Sequence, residues 1–179
     1  MKNIIIKSTK IFFRGIFVLF FLFIITNCNN PSAKHLELEK AEKQLAENLK
    51  MYEMVWDKVI NDRQIDLINE TYFDENVTAV IMAPENIVGI EGFKEYYNNY
   101  LTGFSDAEFT IIDAFGQGDK IVKHWNFKGT HDGEFFGIPA SGKKVDISGT
   151  TLVKMKDGKI AQEQDFMDNL AFYKQLGLM

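Results

Sequence analysis

The second half of the chain contains four long runs of β-forming residues, joined in pairs by short glycine-containing turns. The runs span residues 107–115, 120–130, 144–155 and 159–167. Gly116-Gln117-Gly118-Asp119 connects the first two runs, and Lys156-Asp157-Gly158 connects the last two. Turns of this composition are typical of β-hairpins. The second half is therefore predicted to form an antiparallel sheet.

The first half has the pattern of helices. Residues 34–83 contain neither glycine nor proline, and their apolar positions approximate helical spacing, which predicts a long helix over residues 35–61. Further elements are expected as helices at 65–72, 93–100 and 170–176 and a strand at 76–82. Helices followed by antiparallel strands predict an α+β fold, with helices on one side of a curved antiparallel sheet.

The first 27 residues have the layout of a secretory signal peptide. A basic segment with Lys2, Lys7, Lys10 and Arg14 precedes an apolar run at residues 15–25. This run is short for a membrane-spanning helix, which needs about 20 residues. We therefore expect residues 1–27 to be a signal peptide and to lie outside the folded domain.

Cys28, the only cysteine, follows this segment directly. A single cysteine forms no intrachain disulfide, and residues 25–28 resemble a bacterial lipobox, which implies lipidation of Cys28. A plain signal peptide and an uncleaved signal anchor remain as alternatives. Residues 28–50 are then a tether and a solvated helical stalk, and the protein is expected in the bacterial cell envelope, anchored in the membrane by its lipid and facing the periplasm or the exterior.

Charge and motif content exclude several functions. Residues 28–179 hold 16 of the 20 basic and all 25 acidic residues, a net charge of −9. Nucleic-acid binding requires a basic surface, so no nucleic-acid partner is expected. The three histidines are scattered without ligand spacing, and no glycine-rich phosphate-binding loop is present. No metal and no cofactor are predicted.

Strand periodicity leaves the role of Asp165 open. In residues 144–155 the odd positions are apolar except Thr151, so this face is expected to be buried. In residues 159–167 both faces mix polar and apolar side chains, and periodicity does not show which is buried. Asp165 is then either a solvated strand charge or an acid/base group in a pocket.

Residues 129–145, Gly-Thr-His-Asp-Gly-Glu-Phe-Phe-Gly-Ile-Pro-Ala-Ser-Gly-Lys-Lys-Val, resemble a segment characteristic of SnoaL-like polyketide cyclases, also called ester cyclases. These belong to the nuclear transport factor 2-like superfamily. The resemblance continues through Gly149, residues 157–160, Asp165 and residues 175–177, and it covers residues 51–177. It implies a cone-shaped, curved antiparallel sheet around a deep apolar pocket that the helices close.

The resemblance also implies residue roles. Asp165 is similar to the aspartate that acts as general acid/base in a cofactor-free intramolecular aldol condensation; a carboxyl group suits this role because desolvation raises its pKa toward neutrality. Thr151 occupies the position of a pocket histidine. His131 is expected to hold a loop. The expected pocket residues are Tyr52, Trp56, His124, Trp125, Phe127, Phe136 and Thr151.

Two functions are compatible with these observations. The first is an enzyme with cyclase, isomerase or hydrolase-like chemistry on a small apolar ligand that contains a carbonyl group. The second is a non-catalytic ligand-binding lipoprotein. The superfamily resemblance further implies a homodimer formed through the open face of the sheet.

Overall fold

The computed structural model describes residues 32–81 and 84–179. The predicted signal peptide and the predicted lipidation site Cys28 lie outside these ranges. The described residues belong to two units, residues 32–40 to the first and residues 41–81 and 84–179 to the second. Residues 32–40, the described part of the first unit, are exposed and, from Ala33 on, helical. No helix in the described ranges is both long and apolar enough to cross a membrane.

The long predicted helix is present as α1, Ala33–Ile60. Ser32 caps it, because its Oγ accepts a hydrogen bond from the backbone N–H of His35 at 3.3 Å. In the second unit, α1 buries a stripe at helical spacing, Tyr52, Val55, Trp56 and Val59. This stripe packs α1 against the rest of the domain.

The predicted helix at residues 65–72 is wrong except for a single 3₁₀ turn, Ile65–Leu67. The side chain of Asn69 ends it. Asn69 Nδ2 donates to the carbonyl of Asp66 at 2.6 Å, and Asn69 Oδ1 accepts from the backbone N–H of Thr71 at 2.8 Å. Asparagine commonly competes with helical hydrogen bonding in this way.

The other expected elements are present in the expected order, although the strand expected at 76–82 lies three residues earlier and the short strand Ile87–Val88 was not predicted. The elements after the 3₁₀ turn are β1 (Phe73–Ala79), β2 (Ile87–Val88), α2 (Ile90–Gly103), β3 (Glu108–Gln117), β4 (Lys120–Thr130), β5 (Lys144–Lys156), β6 (Lys159–Met167) and α3 (Asn169–Leu176). The six strands form one sheet in the order β2-β1-β6-β5-β4-β3. The predicted α+β fold is confirmed.

One detail of the predicted sheet is wrong, because the sheet is mixed. β1 pairs with β6 in parallel, whereas all other neighbours are antiparallel. Parallel neighbours need a long connection. Here the chain passes through α2 and the β3–β5 meander before β6 reaches the edge of β1, so no hairpin imposes an antiparallel pairing.

The turn between β5 and β6 is the predicted Asp157-Gly158 turn, and both residues have positive φ, 50° and 77°. This is the backbone of a two-residue hairpin. The pairing slips after the turn: Met155 faces Ile160, but Lys154 faces Gln162. This bulge places one extra residue in β6 and reverses which side chains point inward. As a result, Ile160 and Glu163, three positions apart, are both buried.

Candidate active site

The inner face of the sheet and the helices of residues 41–179 line a cavity of about 530 Å³. This volume lies in the range of small-molecule sites. Most of the lining side chains are apolar or aromatic: Trp56, Ile60, Ile81, Ile87, Tyr96, Tyr97, Tyr100, Phe109, Trp125, Phe127, Phe135, Phe136, Ile138, Ile147, Met167, Phe172 and Tyr173. Two carboxyl groups and one amine join them from β4 and β6, namely those of Glu163, Asp165 and Lys123.

Asp165 lies in a row of side chains that crosses three strands. Lys123 on β4 faces Thr151 on β5, and Thr151 faces Asp165 on β6. The Asp165 side chain is half-buried and lines the cavity. Its Oδ1 accepts a hydrogen bond from Thr151 Oγ1, and its Oδ2 lies 3.2 Å from the hydroxyl of Tyr97. The carboxyl group is thus held by two hydroxyls while it borders an apolar space.

Thr151 is fully buried and is itself oriented by Trp125. The indole Nε1–H of Trp125 donates to Thr151 Oγ1 at 2.9 Å. An indole N–H is only a donor, so the proton of Thr151 is free to point at Asp165. Gly149, directly opposite Trp125, makes this possible, because a Cβ at Gly149 would collide with the indole ring.

Glu163 is the second carboxyl group of the site and is only 1% exposed. Its Oε1 accepts from Trp56 Nε1 at 2.7 Å, and its Oε2 lies 3.1 Å from the Tyr97 hydroxyl. Burial raises the pKa of Glu163, and the charge of Asp165 raises it further, while Lys123 acts in the opposite direction. Tyr97 therefore bridges two carboxyl groups.

Lys123 places a buried ammonium group beside the carboxyl pair. Its side chain is 4% exposed, and Nζ lies 4.0 Å from Glu163 Oε2. The same Nζ lies 4.9 Å from the ring of Trp56, 5.2 Å from Tyr52 and 5.1 Å from Phe109. Aromatic faces attract a cation at these distances. Three aromatic rings thus surround the ammonium group, and one carboxyl group lies beside it.

The hydroxyls of the site stay protonated. Burial raises the pKa of Tyr97 and of Tyr52 well above 10.0, and the nearby carboxyl groups raise both further. Tyr52 lies close enough to Glu163 for the carboxyl group to raise its pKa. Its hydroxyl nevertheless has no hydrogen-bond partner of normal length within the described residues. Tyr97 and Tyr52 consequently act as neutral hydroxyls at ordinary pH.

One wall of the cavity carries a strained aromatic residue. Phe136 has a positive φ of 47°, which is uncommon for a bulky side chain, and it is 43% exposed. Its ring packs 5.2 Å from that of Tyr96 and 4.8 Å from that of Phe135. Phe136 thus lines the cavity while remaining accessible to solvent.

His131 lies away from the cavity lining and is fully buried. Its Nδ1 lies 3.0 Å from Ser141 Oγ, and its backbone N–H and C=O bond to Lys143 and Gly142. These contacts join the two ends of the loop between β4 and β5.

The structure brings most of the sequence-predicted pocket residues together. Trp56, Trp125, Phe127 and Phe136 line the cavity beside Asp165. Thr151 contacts Asp165 without lining the cavity itself. Tyr52 is buried behind the lining, where it faces Lys123.

The assignment of His124 to the pocket is wrong. His124 is exposed and lies on the outer face of the sheet. Its neighbours Lys123 and Trp125 point inward, and alternate residues of a strand point to opposite faces. His124 and Trp125 therefore cannot line the same cavity.

Three polar residues of the site were not predicted from the sequence. Lys123 could have been predicted, because it lies at two-residue spacing from Ile121, Trp125 and Phe127 and therefore on the same buried face of β4. Tyr97 follows Phe93 and precedes Leu101 at four-residue spacing on α2, which is also a readable signal. Glu163 lies two residues before Asp165 and therefore on the same face of β6, so the expectation that Asp165 lines a pocket carried a signal for Glu163 as well. Within residues 32–81 and 84–179, no group of three His, Cys, Asp or Glu side chains is arranged to hold a metal ion.

Comparison with known proteins identifies a family. A sequence model of the SnoaL-like polyketide cyclases matches residues 46–176. Among characterised relatives, the aklanonic acid methyl ester cyclase DnrD of Streptomyces peucetius is 39% identical over 72 residues, covering 40% of this chain and 50% of that protein. The cyclase DauD of Streptomyces sp. strain C5 is 39% identical over 49 residues, covering 27% of this chain and 30% of that protein. The chain thus spans half or less of the length of these relatives.

Solved structures share the fold. A SnoaL-like polyketide cyclase candidate from Jannaschia sp. CCS1 superimposes with a TM-score of 0.68 at 23% identity, over 75% of this chain and 94% of that one. TsrD from Streptomyces laurentii superimposes with a TM-score of 0.66 at 26% identity, over 75% of this chain and 97% of that one.

Proposed function

The chain belongs to the SnoaL-like polyketide cyclase family, and we propose that its cavity binds a small apolar ligand with a carbonyl group and that Asp165 moves a proton on this ligand without a cofactor. The observation that carries the proposal is the position of Asp165, a carboxyl group held by Thr151 and Tyr97 on the wall of an aromatic cavity. A fixed base beside an apolar ligand is suited to proton transfer at carbon.

The proposed reaction begins with removal of a proton from the carbon next to the ligand carbonyl. The Asp165 carboxylate takes this proton, and the electron pair remains on the ligand as an enolate. In a cyclase reaction the enolate carbon attacks a second carbonyl of the same molecule and forms a C–C bond. The resulting alkoxide then recovers the proton from Asp165, so neither atoms nor electrons are gained from outside.

The cavity supports a neutral ligand of this class. Its lining is dominated by aromatic and aliphatic side chains, and the names of the Streptomyces relatives specify a methyl ester as their substrate. A neutral ester or ketone enters such a cavity without the large desolvation penalty of a free carboxylate.

Replacing Asp165 with asparagine tests the proposal. The substitution keeps the shape of the side chain and removes the base, so exchange of the α-hydrogens of the ketone α-tetralone in D₂O should slow by about 10²-fold or more. NMR measures the exchange, and ligand-detected NMR measures binding of the same ketone, which should persist. Glu95→Gln, the same chemical change at an exposed position of α2, is the control. Exchange by Asp165→Asn at the wild-type rate would refute the role of Asp165.

A non-catalytic carrier is the second candidate, and the side chain of Thr151 favours it. Thr151 stands where the family resemblance implies a histidine, and a hydroxyl cannot be protonated to stabilise an enolate. If this candidate is correct, the wild-type protein retains small molecules on purification but exchanges no hydrogens. Asp165→Asn then changes affinity alone.

We further propose that lipidation of Cys28 anchors the domain in the bacterial cell envelope. Support comes from the order of the basic segment, the apolar run and the single cysteine in residues 1–28. The exposed, charged residues 32–40 suit a solvated stalk.

A further inference from the structure

Four side chains in the cavity wall form one connected polar cluster: Tyr97, Lys123, Glu163 and Asp165. The Tyr97 hydroxyl lies 3.1 Å from Glu163 Oε2 and 3.2 Å from Asp165 Oδ2. Both separations have hydrogen-bond length. Tyr97 has only one hydroxyl proton, however, and it cannot supply both bonds.

The other donors do not resolve this shortage. Trp56 donates to Glu163 Oε1, and Thr151 donates to Asp165 Oδ1. Each of them thus donates to the carboxyl oxygen that the Tyr97 hydroxyl does not contact. Lys123 Nζ is 4.0 Å from Glu163 Oε2, too far for a hydrogen bond. If both carboxyl groups were ionised, one of the two short contacts of Tyr97 would join two oxygens without a proton between them.

The charge balance leads to the same conclusion. Lys123 is the one buried lysine or arginine in residues 32–81 and 84–179. With Glu163 and Asp165 both ionised, the cluster would carry a net charge of −1 in a largely apolar cavity. One additional proton makes it neutral, and it also completes the hydrogen bonds of Tyr97. A buried net charge is unfavourable unless it is compensated.

The surroundings indicate which carboxyl group holds this proton. Trp125 donates to Thr151 and thereby directs the Thr151 proton to Asp165, which favours an ionised Asp165. Asp165 is also half-buried, whereas Glu163 is almost completely buried. Burial and the charge of Asp165 raise the pKa of Glu163 despite the opposing effects of Lys123, Tyr52 and Trp56.

We propose that Glu163 is protonated in the resting site and donates to the Tyr97 hydroxyl, which in turn donates to an ionised Asp165. Glu163 is thus a positioning residue that acts through Tyr97. The site then contains a neutral acid, a base and a free positive charge on Lys123.

The catalytic consequence rests on the proposed function. When Asp165 takes a proton from the ligand, both carboxyl groups are neutral and the cluster carries the +1 charge of Lys123. The ligand at that moment is an enolate with a charge of −1. Lys123 therefore supplies the countercharge that Thr151, in the position of the family's histidine, cannot supply. An ionised Glu163 would cancel this charge.

Infrared spectroscopy of the full chain in D₂O tests the protonation state without any turnover. Selective ¹³C labelling of glutamate carboxyl groups separates Glu163 from Asp165 by isotope shift. At neutral pH we expect one isotope-shifted C=O band of a protonated acid, lost in Glu163→Gln and retained in the control Glu95→Gln. Tyr97→Phe should shift this band, because it removes the hydrogen-bond acceptor of the acid.

The pH dependence of stability provides a second measurement. The groups that face Glu163 are Lys123 on β4, Tyr52 on α1, Tyr97 on α2 and Asp165 on β6. Because folding raises the pKa of Glu163 from 4.5, its carboxyl group stays protonated to a higher pH in the folded state than in the unfolded state. The free energy of unfolding should therefore decrease as the pH rises from about 4.5 to the pKa of Glu163 in the folded state. The Glu163→Gln variant should not show this contribution to the pH dependence.

The outcomes separate the two proposals. Absence of the glutamic-acid band in the wild-type protein at neutral pH overturns the inference, whatever the catalytic result. A folded Glu163→Gln variant with an unchanged pH profile of stability also overturns it. If Glu163→Gln does not fold, the glutamic-acid band of the wild-type protein and the shift of that band in Tyr97→Phe still test whether Glu163 is protonated. If the band is present and Asp165→Asn exchanges at the wild-type rate, the inference stands and the proposed function fails.

Discussion

At the scale of single residues, Thr151 illustrates how a neutral side chain controls an ionisable one. It accepts a hydrogen bond from Trp125 and donates one to Asp165. Both partners belong to the cavity lining, and Thr151 is completely buried between them. The hydroxyl therefore orients the candidate base in the place where the family resemblance implies an ionisable histidine.

Replacing Thr151 with valine should destabilise the protein by about 1–3 kcal/mol, because it leaves the N–H of Trp125 and one oxygen of Asp165 without partners. Thr151→Ser is the matched control. It keeps the hydroxyl and loses one methyl group, which costs about 1 kcal/mol. Chemical denaturation compares the two variants. Equal or greater stability of Thr151→Val relative to Thr151→Ser would show that the hydroxyl bonds contribute little.

At the scale of elements, the glycine turns explain why the boundaries of the hairpin strands could be predicted, whereas β1, which no such turn borders, lies three residues before its expected position. The boundaries of β4 and β6 agree with the expected residues, and the Asp157-Gly158 turn joins β5 to β6 as predicted. The exposure pattern of β5 also follows its alternation, with Val145, Ile147, Thr151, Val153 and Met155 buried. Turn chemistry and alternation are local properties, so a sequence displays them directly.

The bulge in β6 could not be predicted in the same way. An extra residue between Ile160 and Gln162 changes the side to which every later side chain of the strand points. Simple alternation from Ile160 would direct Glu163 outward, yet Glu163 is buried. The position of the slip depends on how β6 pairs with β5 and β1 together, and that is a tertiary property.

Gly149 of β5 provides a prediction at this scale. A Cβ there would collide with the indole of Trp125 and approach the carbonyl oxygen of Phe166 to 2.7 Å. Gly149→Ala should therefore destabilise the protein by about 1–3 kcal/mol and displace Trp125, one of only two tryptophans. Chemical denaturation and tryptophan fluorescence measure these effects.

Lys154→Ala, on the exposed side of β5, is the control for Gly149→Ala. It should leave both stability and fluorescence nearly unchanged. A stable Gly149→Ala protein with wild-type fluorescence would mean that the strand adapts and that Trp125 does not depend on the missing side chain.

At the scale of the whole molecule, the candidate site is assembled from distant parts of the chain. Trp56 on α1 bonds to Glu163 on β6 across 107 positions of sequence, and Tyr97 on α2 reaches Asp165 across 68. Each of these contacts exists only after the helices have packed on the sheet. A substitution that loosens α1 or α2 is therefore expected to affect the site even when it lies outside the cavity.

Membrane attachment is the prediction that concerns the complete chain. If Cys28 is lipidated, Cys28→Ser should move the protein from the membrane fraction to the soluble fraction and abolish incorporation of labelled palmitate. Ser32→Ala, four residues further on, should remain attached. A Cys28→Ser protein that still sediments with membranes would favour an uncleaved signal anchor.

The sequence was sufficient to predict the α+β class, the hairpin turns and the family, because these follow from local propensity and from matching residues. It also drew attention to Asp165 but left its environment open. The tertiary structure decided that environment. It paired β1 with β6 in parallel, placed His124 outside, and brought Tyr97, Lys123 and Glu163 to Asp165. Contacts between residues so far apart depend on packing and strand register, which local sequence patterns do not contain.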